Sequence, residues 1–310
     1  MVGDLPLTHR RGTSMNLMKL QIIELIDQLH HMTSVAEVLG IKQPTVTFHM
    51  KSLEEELGVR LFEARSGKTF LTEAGAALLH YSVKINALAR EARRVAGEFD
   101  TLYRGALLIG ASYVPATYLL PSLLHAFSRE FPGIRMALSV KPAPVIREML
   151  IRHEIDLGVI SSEPFAEPAL QAEPLITDDL VLICSPGHPF ACKTQLSMEE
   201  ISKTPFALHG SESTTRSLTE RWFEQQGLRL RNTIEVDSLE AIKQLVRLGG
   251  HISVMSRMAV QWEEQQGLIQ MLSIQGEMAP RYIYAVHNKD RHPSVQMESF
   301  RSSLLATKNC

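Results

Sequence analysis

The sequence is poor in cysteine and has no long apolar run. Its three cysteines, Cys184, Cys192 and Cys310, are too few and too scattered for a disulfide framework or a zinc site. They fit a reducing compartment, where thiols stay free. No apolar stretch reaches the length of about 20 residues that a membrane-spanning helix needs. These absences argue against a disulfide-rich secreted protein and a membrane protein, and they favour the cytoplasm.

The short motifs of the common enzyme classes are also absent. Neither Gly-x-Ser-x-Gly nor Gly-x-Gly-x-x-Gly occurs, and the histidines show no metal-ligand spacing. His30 and His31 are adjacent, so on a helix they point about 100° apart and cannot hold one ion together. The stretch from Ser66 to Thr69 resembles the end of a phosphate-binding loop, but Phe62 stands where that loop needs glycine. We therefore expect no catalytic residue, no metal and no cofactor.

Length and net charge set only wide limits. The 310 residues suffice for two or three domains, each with its own core. A net charge of −2 neither favours nor excludes a nucleic-acid partner, because the local distribution of charge decides that. Residues 1–14 lack the apolar core of a secretory signal. We expect them to be a disordered lead-in, with Met15 as a candidate start.

Apolar spacing predicts three helices between residues 15 and 72. The first begins at Asn16 and repeats apolar residues at i, i+3 spacing. The second is short and ends at Gly40, because glycine adopts the left-handed C-terminal conformation freely. Its capping residue is Thr33 or Ser34. Its predicted inward positions are Val35, Val38 and Leu39.

The third helix, in the stretch QPTVTFHMKSLEEELG from Gln43 to Gly58, has two dissimilar sides. Its predicted buried stripe consists of Val46, Met50, Leu53 and Leu57. Rotation by about 100° per residue places another set on the far side, clustered in the first half of the helix. That predicted outward set consists of Pro44, Thr45, Thr47, Phe48, Lys51 and Ser52.

Two helices joined by a tight glycine turn are typical of a helix-turn-helix, whose second helix enters the major groove. We expect Thr45, Thr47 and Ser52 to hydrogen-bond base edges and Phe48 to pack on a thymine methyl. The predicted phosphate contacts are Lys42, Lys51, Arg65 and Lys68. The alternative is an ordinary three-helix bundle with one exposed phenylalanine.

The charge of this region is a difficulty for DNA binding. Between Met15 and Thr72 there are six basic and seven acidic residues, which gives a net charge of −1. A DNA-binding module is ordinarily basic. The charges must therefore be segregated by face, with the run Glu54 to Glu56 turned away from the duplex.

A hairpin and a long helix follow. Gly67 marks the predicted hairpin tip and Thr69 to Leu71 a short strand, which together form a wing. From Ala74 the apolar residues alternate steps of four and three, typical of a heptad seam, and Thr72 is the predicted cap. The alternative is a helix packed on its own domain. The seam residues are Ala74, Leu78, Tyr81, Ile85, Leu88, Ala92, Val95, Phe99 and Leu102.

Past Gly105 strands and helices alternate, which predicts an α/β architecture with largely parallel sheets. The turn-rich stretch from Ser161 to Pro168 is the predicted crossover between two lobes. The predicted strands are ALLIGAS, IRMALSV, IDLGVIS, DLVLICS, PFALHG, TIEVDS, HISVMS and RYIYAVH. The predicted helices are Tyr118 to Glu130, Val145 to His153, Thr215 to Gln226 and Leu239 to Leu248.

In open α/β sheets a ligand lies at the carboxyl ends of strands, near helix starts that favour anions. Four loops of the sequence have this position. Because they supply hydroxyls, a helix start and Arg216, we expect the ligand to be a small anion. Each hydroxyl has the alternative of only capping its own helix. The candidates are Ser112, Tyr113, Ser213, Thr214, Thr215, Arg216, Asp237, Ser238, Gly249 and His251.

Taken together, these residues resemble the LysR-type transcriptional regulators from about Met15 to about Leu305. QPTVTFHMKSLEEELGVRLFE followed by LTEAG is similar to the DNA-binding signature of that family. GHPFA, DLGVI and the pair Thr215-Arg216 are similar to its regulatory-domain landmarks. The resemblance implies that Gln43, Thr45, Thr47 and Phe48 contact DNA, and that Ser112 and Thr215 line an effector cleft.

The resemblance also implies an architecture: a winged helix-turn-helix, a linker helix, and a two-lobed effector domain like the periplasmic binding proteins. We predict the winged domain at 15–72, the linker and dimerisation helix at 73–103, the first lobe at 104–163 with 274–310, and the second lobe at 164–273. The implied partners are promoter DNA, further copies of the chain up to a homotetramer, a small effector, and RNA polymerase as a candidate.

The sequence departs from the family pattern at several positions. Phe48 stands where a basic residue is frequent, and Ala64 where arginine is frequent. Pro142 and Pro144 replace a glycine and a hydroxyl residue, which removes one helix-start contact to an anion. His251 replaces a glycine. The rival interpretations are an enzyme on the same fold, which a turnover assay would reveal, and a transport binding protein, which would need a secretory signal.

Overall fold

The computed structural model describes residues 15–98, 105–193, 196–272 and 279–307. By its internal contacts the chain divides into two compact units, Met1–Gly97 and Glu98–Cys310. The predicted lead-in, the seam residues Phe99 and Leu102, and Cys310 lie outside the described residues. Among the helices that the structure describes, none combines the length and the apolar character that crossing a membrane requires.

The first unit consists of helices around one core, followed by a hairpin and a long helix. Apolar side chains of its first three helices, Leu61 and Phe62 form that core. The three predicted helices and the hairpin are confirmed. In chain order the elements are α1 (Leu17–Leu29), α2 (Met32–Leu39), α3 (Gln43–Leu57), β1 (Phe62–Arg65), β2 (Lys68–Leu71) and α4 (Glu73–Glu98).

The short helix α2 is capped differently from the prediction. Its N-cap is His31, without a side-chain hydrogen bond, so Thr33 and Ser34 lie inside the helix and the predicted cap is wrong. Gly40 ends α2 at φ 66°, as predicted. Val38 is 61 % exposed, so its predicted inward position is also wrong.

The buried side of α3 is shorter than its apolar spacing suggests. Val46, Met50 and Leu53 are buried in the core of the first unit, as predicted. Leu57 is 42 % exposed, because it lies in the last turn, where α3 has passed beyond that core. The stripe therefore extends from Val46 to Leu53 and no further.

The wing contacts the C-terminal end of α1. Strands β1 and β2 pair antiparallel, and Ser66 and Gly67 take positive φ at the tip. The Thr69 N–H donates to the His30 carbonyl oxygen at 2.8 Å, and the His30 ring lies 4.8 Å from that of Phe70. These contacts hold the hairpin at a fixed place beside the three-helix core.

Helix α4 has one side packed on its own unit and one side exposed. The Gly75 N–H donates to Thr72 Oγ1 at 3.1 Å, which confirms the predicted cap. The packed side includes Val83 and Asn86, whose amide nitrogen donates to Glu24 at 3.1 Å. The predicted seam begins in the core at Ala74 and Leu78. Its next three members are exposed: Tyr81, Ile85 and Leu88.

The second unit alternates strands and helices, as predicted. In chain order the elements are β3 (Gly105–Ala111), α5 (Tyr113–Tyr118), α6 (Leu120–Glu130), β4 (Ile134–Val140), α7 (Ala143–Ile151), β5 (Leu157–Ser162), β6 (Leu170–Thr177), β7 (Leu180–Cys184), α8 (Met198–Lys203), β8 (Phe206–His209), α9 (Thr214–Gln225), β9 (Thr233–Val236), α10 (Leu239–Arg247), β10 (Ser253–Ser256), α11 (Arg257–Gln265), β11 (Gln270–Leu272), β12 (Tyr282–Asn288) and α12 (Val295–Ala306).

These strands form two lobes. The first lobe contains the five-stranded sheet β4-β3-β5-β12-β6, and the second contains the sheets β10-β7-β11 and β8-β9. Only β3 with β4 and β5, and β8 with β9, pair in parallel among the described strands. The prediction of largely parallel sheets is therefore wrong, because β12 and β7 both run antiparallel to their neighbours.

The crossover between the lobes lies later than predicted. Strand β6 pairs with β12 in the first-lobe sheet, so the stretch from Ser161 to Pro168 stays within that lobe. The chain passes to the second lobe at Asp178 and Asp179, between β6 and β7. The predicted boundary at residue 163 is therefore wrong. The chain returns between β11 and β12, which brings the C-terminal segment back to the first lobe as expected.

Candidate functional sites

The outward side of α3 is exposed in its first half. Lys42, Gln43, Thr45, Phe48 and Lys51 are exposed, and we name them the α3 outward surface. Phe48 is 59 % exposed, a high value for a phenylalanine in a unit with its own core. An apolar ring among polar and cationic side chains fits a surface that meets DNA, where apolar groups contact thymine methyls.

Two predicted members do not belong to this surface in the same way. Ser52 is only 7 % exposed, so its predicted outward position is wrong; it faces the side of α3 that packs on the unit. Thr47 is half-buried, and its hydroxyl donates to the Gln43 carbonyl oxygen at 3.2 Å. The same hydroxyl lies 3.9 Å from the Met32 sulfur, which turns Thr47 toward α2.

The acidic run of α3 is held by its own unit. Glu54 Oε1 accepts hydrogen bonds from the Leu61 and Phe62 N–H groups at 2.8 and 3.1 Å. Glu56 forms an ion pair with the buried Lys19 at 3.1 Å. These two carboxylates bind donors of their own unit, whereas Glu55 is exposed, so the predicted segregation of charge away from DNA stays a prediction.

On the wing, Arg65 and Lys68 are both exposed near the tip. Arg65 forms an ion pair with Glu63 at 2.5 Å, and its side chain remains 70 % exposed. Exposed ion pairs are weak, in the range of about 0–1 kcal/mol, so a phosphate can replace Glu63 at little cost. The wing thus exposes two cations, and it belongs to the same unit as the α3 outward surface.

The second unit contains a cleft of about 230 Å³ between its lobes, which we name the interlobe cleft. Seven of the ten residues predicted from the sequence line it. Segments from both lobes and from the return strand contribute, so it is assembled from parts distant in sequence. The lining includes the predicted Ser112, Tyr113, Ser213, Thr214, Thr215, Asp237 and Ser238, and the further residues Ser161, His209, Glu212, Glu235 and Arg281.

Arg216, Gly249 and His251 are the three predicted residues that the lining does not include. Arg216 is held by Glu220 at 2.9 Å and Glu235 at 2.5 Å, and it donates to the His209 carbonyl oxygen. Its charge is therefore balanced by these two carboxylates, and Arg216 does not line the cleft as the sequence predicted. Gly249, in the turn with His251 after α10, is placed away from the lining.

Three hydroxyls in the cleft have no hydrogen-bond acceptor among the described residues. Ser112 Oγ accepts from the Ser161 N–H at 2.8 Å, and Thr215 Oγ1 accepts from Arg281 Nη1 at 2.6 Å. Within the described residues neither hydroxyl donates to a protein acceptor, so each hydrogen remains available. The Ser161 hydroxyl is buried and has no hydrogen-bond partner there. A ligand in the cleft can supply the acceptor that these hydroxyls lack.

The cation of the cleft is Arg281, which sequence reasoning missed. It directly precedes β12, is 3 % exposed, and pairs with the buried Asp178 at 2.8 Å. Asp178 also accepts a hydrogen bond from the Ser256 hydroxyl at 2.5 Å. Burial lowers the pKa of Arg281, and the Asp178 carboxylate counteracts that shift. The pair joins both segments that pass between the lobes.

Helix starts add to this donor set. Helix α9 begins at the cleft with no side-chain hydrogen bond from its N-cap Ser213, so its first N–H groups remain free to bind an anion. Helix α7 also begins there, but Pro144 in its first turn has no N–H to donate. The predicted loss of an anion contact at that helix thus has a structural basis, and α9 is the better anion site.

Two titratable side chains of the cleft, His209 and Tyr113, are neutral at pH 7. Burial lowers the pKa of His209 to about 4, against a hydrogen bond with the Val254 carbonyl oxygen that raises it. Burial raises the pKa of the Tyr113 hydroxyl, and the charges of Asp237 and Glu212 raise it further. Both side chains therefore act as neutral hydrogen-bonding groups.

An exposed helix face with a wing, an unpartnered apolar helix side, and a two-lobed ligand-binding unit define a DNA-binding regulator that responds to a ligand. Comparison with known proteins identifies which regulators these are. Residues 17–76 match the bacterial regulatory helix-turn-helix protein, lysR family, and residues 101–308 match the LysR substrate binding domain. The chain belongs to the LysR-type transcriptional regulators and carries their effector-binding domain.

Curated relatives match over nearly the whole chain. A probable RuBisCO transcriptional regulator of Cyanidioschyzon merolae is 31 % identical over 307 residues, covering 97 % of this chain and 99 % of that protein. The RuBisCO operon transcriptional regulator of Allochromatium vinosum is 30 % identical over 291 residues, covering 94 % and 96 %. Both relatives are therefore similar in domain content as well as in sequence.

Solved structures show the same fold. Full-length OxyR from Pseudomonas aeruginosa aligns with a TM-score of 0.69 at 23 % identity, covering 96 % of each chain. CbnR, a LysR family transcriptional regulator, aligns at 0.67 and 21 %, covering 95 % of this chain and 99 % of its own. The regulatory domain of Synechocystis CcmR, solved in complex with 2-PG, aligns at 0.60 and 28 %, covering 66 % and 97 %.

Proposed function

We propose that the protein binds promoter DNA through a pair of winged heads and that a small anion in the interlobe cleft regulates this binding. The DNA-contacting residues of the proposal are those of the α3 outward surface with Thr47, Arg65 and Lys68. Residues 15–72 form the DNA-binding domain and 73–103 the dimerisation helix. The complex of CbnR with its target DNA supports promoter DNA as the partner. We place the protein in the cytoplasm, with RNA polymerase as a further partner and without enzymatic turnover.

The anion assignment rests on one observation: three hydroxyls without a protein acceptor and the start of α9 all line one cleft. Ser112 and Thr215 are each fixed as acceptors of a protein hydrogen bond, which directs their own hydrogens elsewhere. A carboxylate or phosphate accepts several hydrogen bonds at once and is favoured at a helix start. The 2-PG of CcmR and the shikimate of QuiR, another structural relative, support a small anionic effector.

The cleft is tested by the melting temperature of the full-length protein in small carboxylates, phosphate and sulfate, with glycerol as the uncharged control. Binding to the native state raises the melting temperature. Thr215→Val and Ser161→Ala each remove one donor and should weaken anion binding about tenfold. Ser217→Ala is the matched control, because Ser217 is exposed on the same helix α9. Absence of any shift with every anion would overturn the anion assignment.

The pairing of two heads rests on the exposed side of α4. Tyr81, Ile85 and Leu88 keep heptad spacing and are 61, 37 and 46 % exposed. A second copy of the same helix would cover them as a coiled-coil partner, and a helix-turn-helix regulator needs two heads to bind two half-sites. Further association of dimers into a tetramer is part of the proposal.

Ile85→Asp tests this pairing, because a carboxylate in the seam would be desolvated in the dimer. Sedimentation velocity should show a monomer, and affinity for promoter DNA should fall with it. Ala76→Asp adds the same charge at an exposed position outside the seam and should leave the oligomer intact. An unchanged oligomer in Ile85→Asp would mean that another surface pairs the chains.

A further inference from the structure

The second-lobe wall of the interlobe cleft carries carboxylates. His209 and Val236 are partners in the adjacent parallel strands β8 and β9, so the segments that follow them lie side by side at one sheet edge. Glu212 and Asp237 come from these two segments, and both line the cleft. The hydroxyls of Ser112 and Ser161 come from the first lobe. The second lobe thus presents both the two carboxylates and the donors at the start of α9, and the first lobe presents hydroxyls.

The other charges of the cleft are already balanced. Arg281 is paired with Asp178, and Glu235 is paired with Arg216. His209 is neutral at pH 7, because burial lowers its pKa to about 4. Among the described residues, neither Glu212 nor Asp237 has a hydrogen bond or an ion pair within the protein. These two carboxylates are the uncompensated charges that a ligand meets.

The carboxylate of Asp237 lies close to the neighbouring loop that contains Gly210. A Cβ added at Gly210 would lie 3.0 Å from Asp237 Oδ1, so the carboxylate packs directly against that glycine. Asp237 also stands within electrostatic reach of the Tyr113 hydroxyl, which belongs to the first lobe. A ligand in the cleft thus meets hydroxyl donors and, in addition, the Asp237 carboxylate as an acceptor.

We infer that the effector is bipolar, with an anionic group bound by Ser112, Ser161 and Thr215 and a hydroxyl or ammonium group bound by Asp237. This inference rests on the proposed anion site and adds the second group of the ligand. Asp237 selects the donor because a carboxylate only accepts hydrogen bonds. A ligand with a second anionic group would meet like charge from Asp237 and Glu212, which is unfavourable in a narrow cleft.

The test is calorimetric titration of the full-length protein with ligands that share one phosphate and differ at the other end. These are 2-hydroxyethyl phosphate, 2-aminoethyl phosphate, propyl phosphate and 2-phosphoglycolate. The first two should bind about tenfold more tightly than propyl phosphate, because each gives Asp237 a charge-assisted hydrogen bond. The added carboxylate of 2-phosphoglycolate should make it the weakest. Propanoates with the same end groups test a carboxylate in place of the phosphate.

Asp237→Asn should reduce the preference for the ammonium ligand about tenfold and strengthen binding of 2-phosphoglycolate. Glu212→Gln should act in the same direction with a smaller effect. Glu264→Gln removes the same charge from the exposed side of α11 and should preserve the order of affinities. Melting of each variant without ligand shows whether its fold is intact, and Glu212→Gln carries the test if Asp237→Asn is unstable.

The outcomes separate the two proposals. Equal affinities for all end groups, or an unchanged order in both Asp237→Asn and Glu212→Gln, would overturn the bipolar ligand and leave the anion site standing. If no member of either series binds, the anion site fails and the bipolar ligand fails with it. The expected order in the wild type, together with its loss in the cleft variants alone, supports both.

Discussion

The α3 outward surface and the interlobe cleft are built in opposite ways. The first consists of near neighbours on one helix, exposed and carrying no buried charge. The second is assembled from several segments, and its floor is a buried ion pair, Arg281 with Asp178. Substitutions in the first should therefore change binding without changing stability. Substitutions in the second should change both, because the groups that would meet the ligand also hold the lobes together.

The largest expected effect is at Arg281. Arg281→Met leaves Asp178 buried without its cation, and removing one partner of a buried pair costs about 3–5 kcal/mol. Urea denaturation should show this loss in the fluorescence of Trp222 and Trp262, the two tryptophans of the chain, which both lie in the second unit. The variant should also lose anion binding.

Arg221 provides the matched control, since it pairs with Glu163 at 2.5 Å with both side chains partly exposed. Arg221→Met should cost at most about 1 kcal/mol, as exposed ion pairs do. Similar losses in the two variants would contradict the claim that the cleft depends on a buried charge pair.

The second effect is the dependence of stability on pH that His209 contributes from the cleft. Folding lowers the pKa of His209 from 6.5 to about 4, so the folded state excludes the proton. Its stabilising contribution is complete above pH 6.5 and is lost progressively as the pH falls toward 4. Between pH 7 and pH 5 the loss is about 2 kcal/mol.

His209→Gln keeps a donor for the Val254 carbonyl oxygen and removes the titrating group. Urea denaturation followed by tryptophan fluorescence should therefore show a shallower pH dependence between pH 7 and pH 5 than in the wild type. His125→Gln, at an exposed position on α6, is the control and should keep the wild-type slope. An identical slope in His209→Gln would remove His209 from the account.

The third effect tests the other half of the comparison. Phe48→Ala should lower affinity for a promoter fragment selected with the wild-type protein about tenfold, and affinity for random DNA less. Amide hydrogen exchange of α3 should stay unchanged, because Phe48 is 59 % exposed and packs little against its unit. Leu57→Ala, at the opposite end of α3, should leave DNA affinity intact. Strong loss of exchange protection in Phe48→Ala would show that the ring supports the fold.

The same difference explains what the sequence could predict. Helix faces repeat with a fixed period, so the exposed half of α3, the buried Val46 and Leu53, and the exposed seam of α4 follow from spacing alone. The predicted burial is wrong for Ser52 and Leu57, which lie at the edges of the α3 stripe. At such positions tertiary packing, and not helical spacing, decides whether a side chain is buried. The prediction for the cap of α2 was wrong because the N-cap, His31, has an extended backbone and no side-chain hydrogen bond. A search for capping side chains cannot find such a helix start.

The cleft was predicted only as far as loop positions allow. Ser112, Thr215 and Ser238 follow from the rule that ligands meet strand ends. Arg281 could not be found that way, because its role depends on Asp178, which is about a hundred residues earlier in the chain. Strand β6 was missed because Pro174 interrupts its apolar pattern, and the first-lobe sheet accommodates it at an irregular register with β12. The wrong lobe boundary followed from that omission.

The smallest expected effect is at Ser52, where the comparison of the two sides of α3 is most direct. Its hydroxyl is buried and has no hydrogen-bond partner among the described residues. Ser52→Ala removes that unsatisfied group and gives the helix interior a better helix former, so stability should rise by about 0.5–1 kcal/mol. Hydrogen exchange of α3 should slow accordingly, with DNA affinity unchanged.

Thr45→Ala, on the exposed side, should do the reverse and weaken DNA binding at constant stability. If Ser52→Ala instead weakened DNA binding as Thr45→Ala does, Ser52 would belong to the reading surface and α3 would be rotated from the position described.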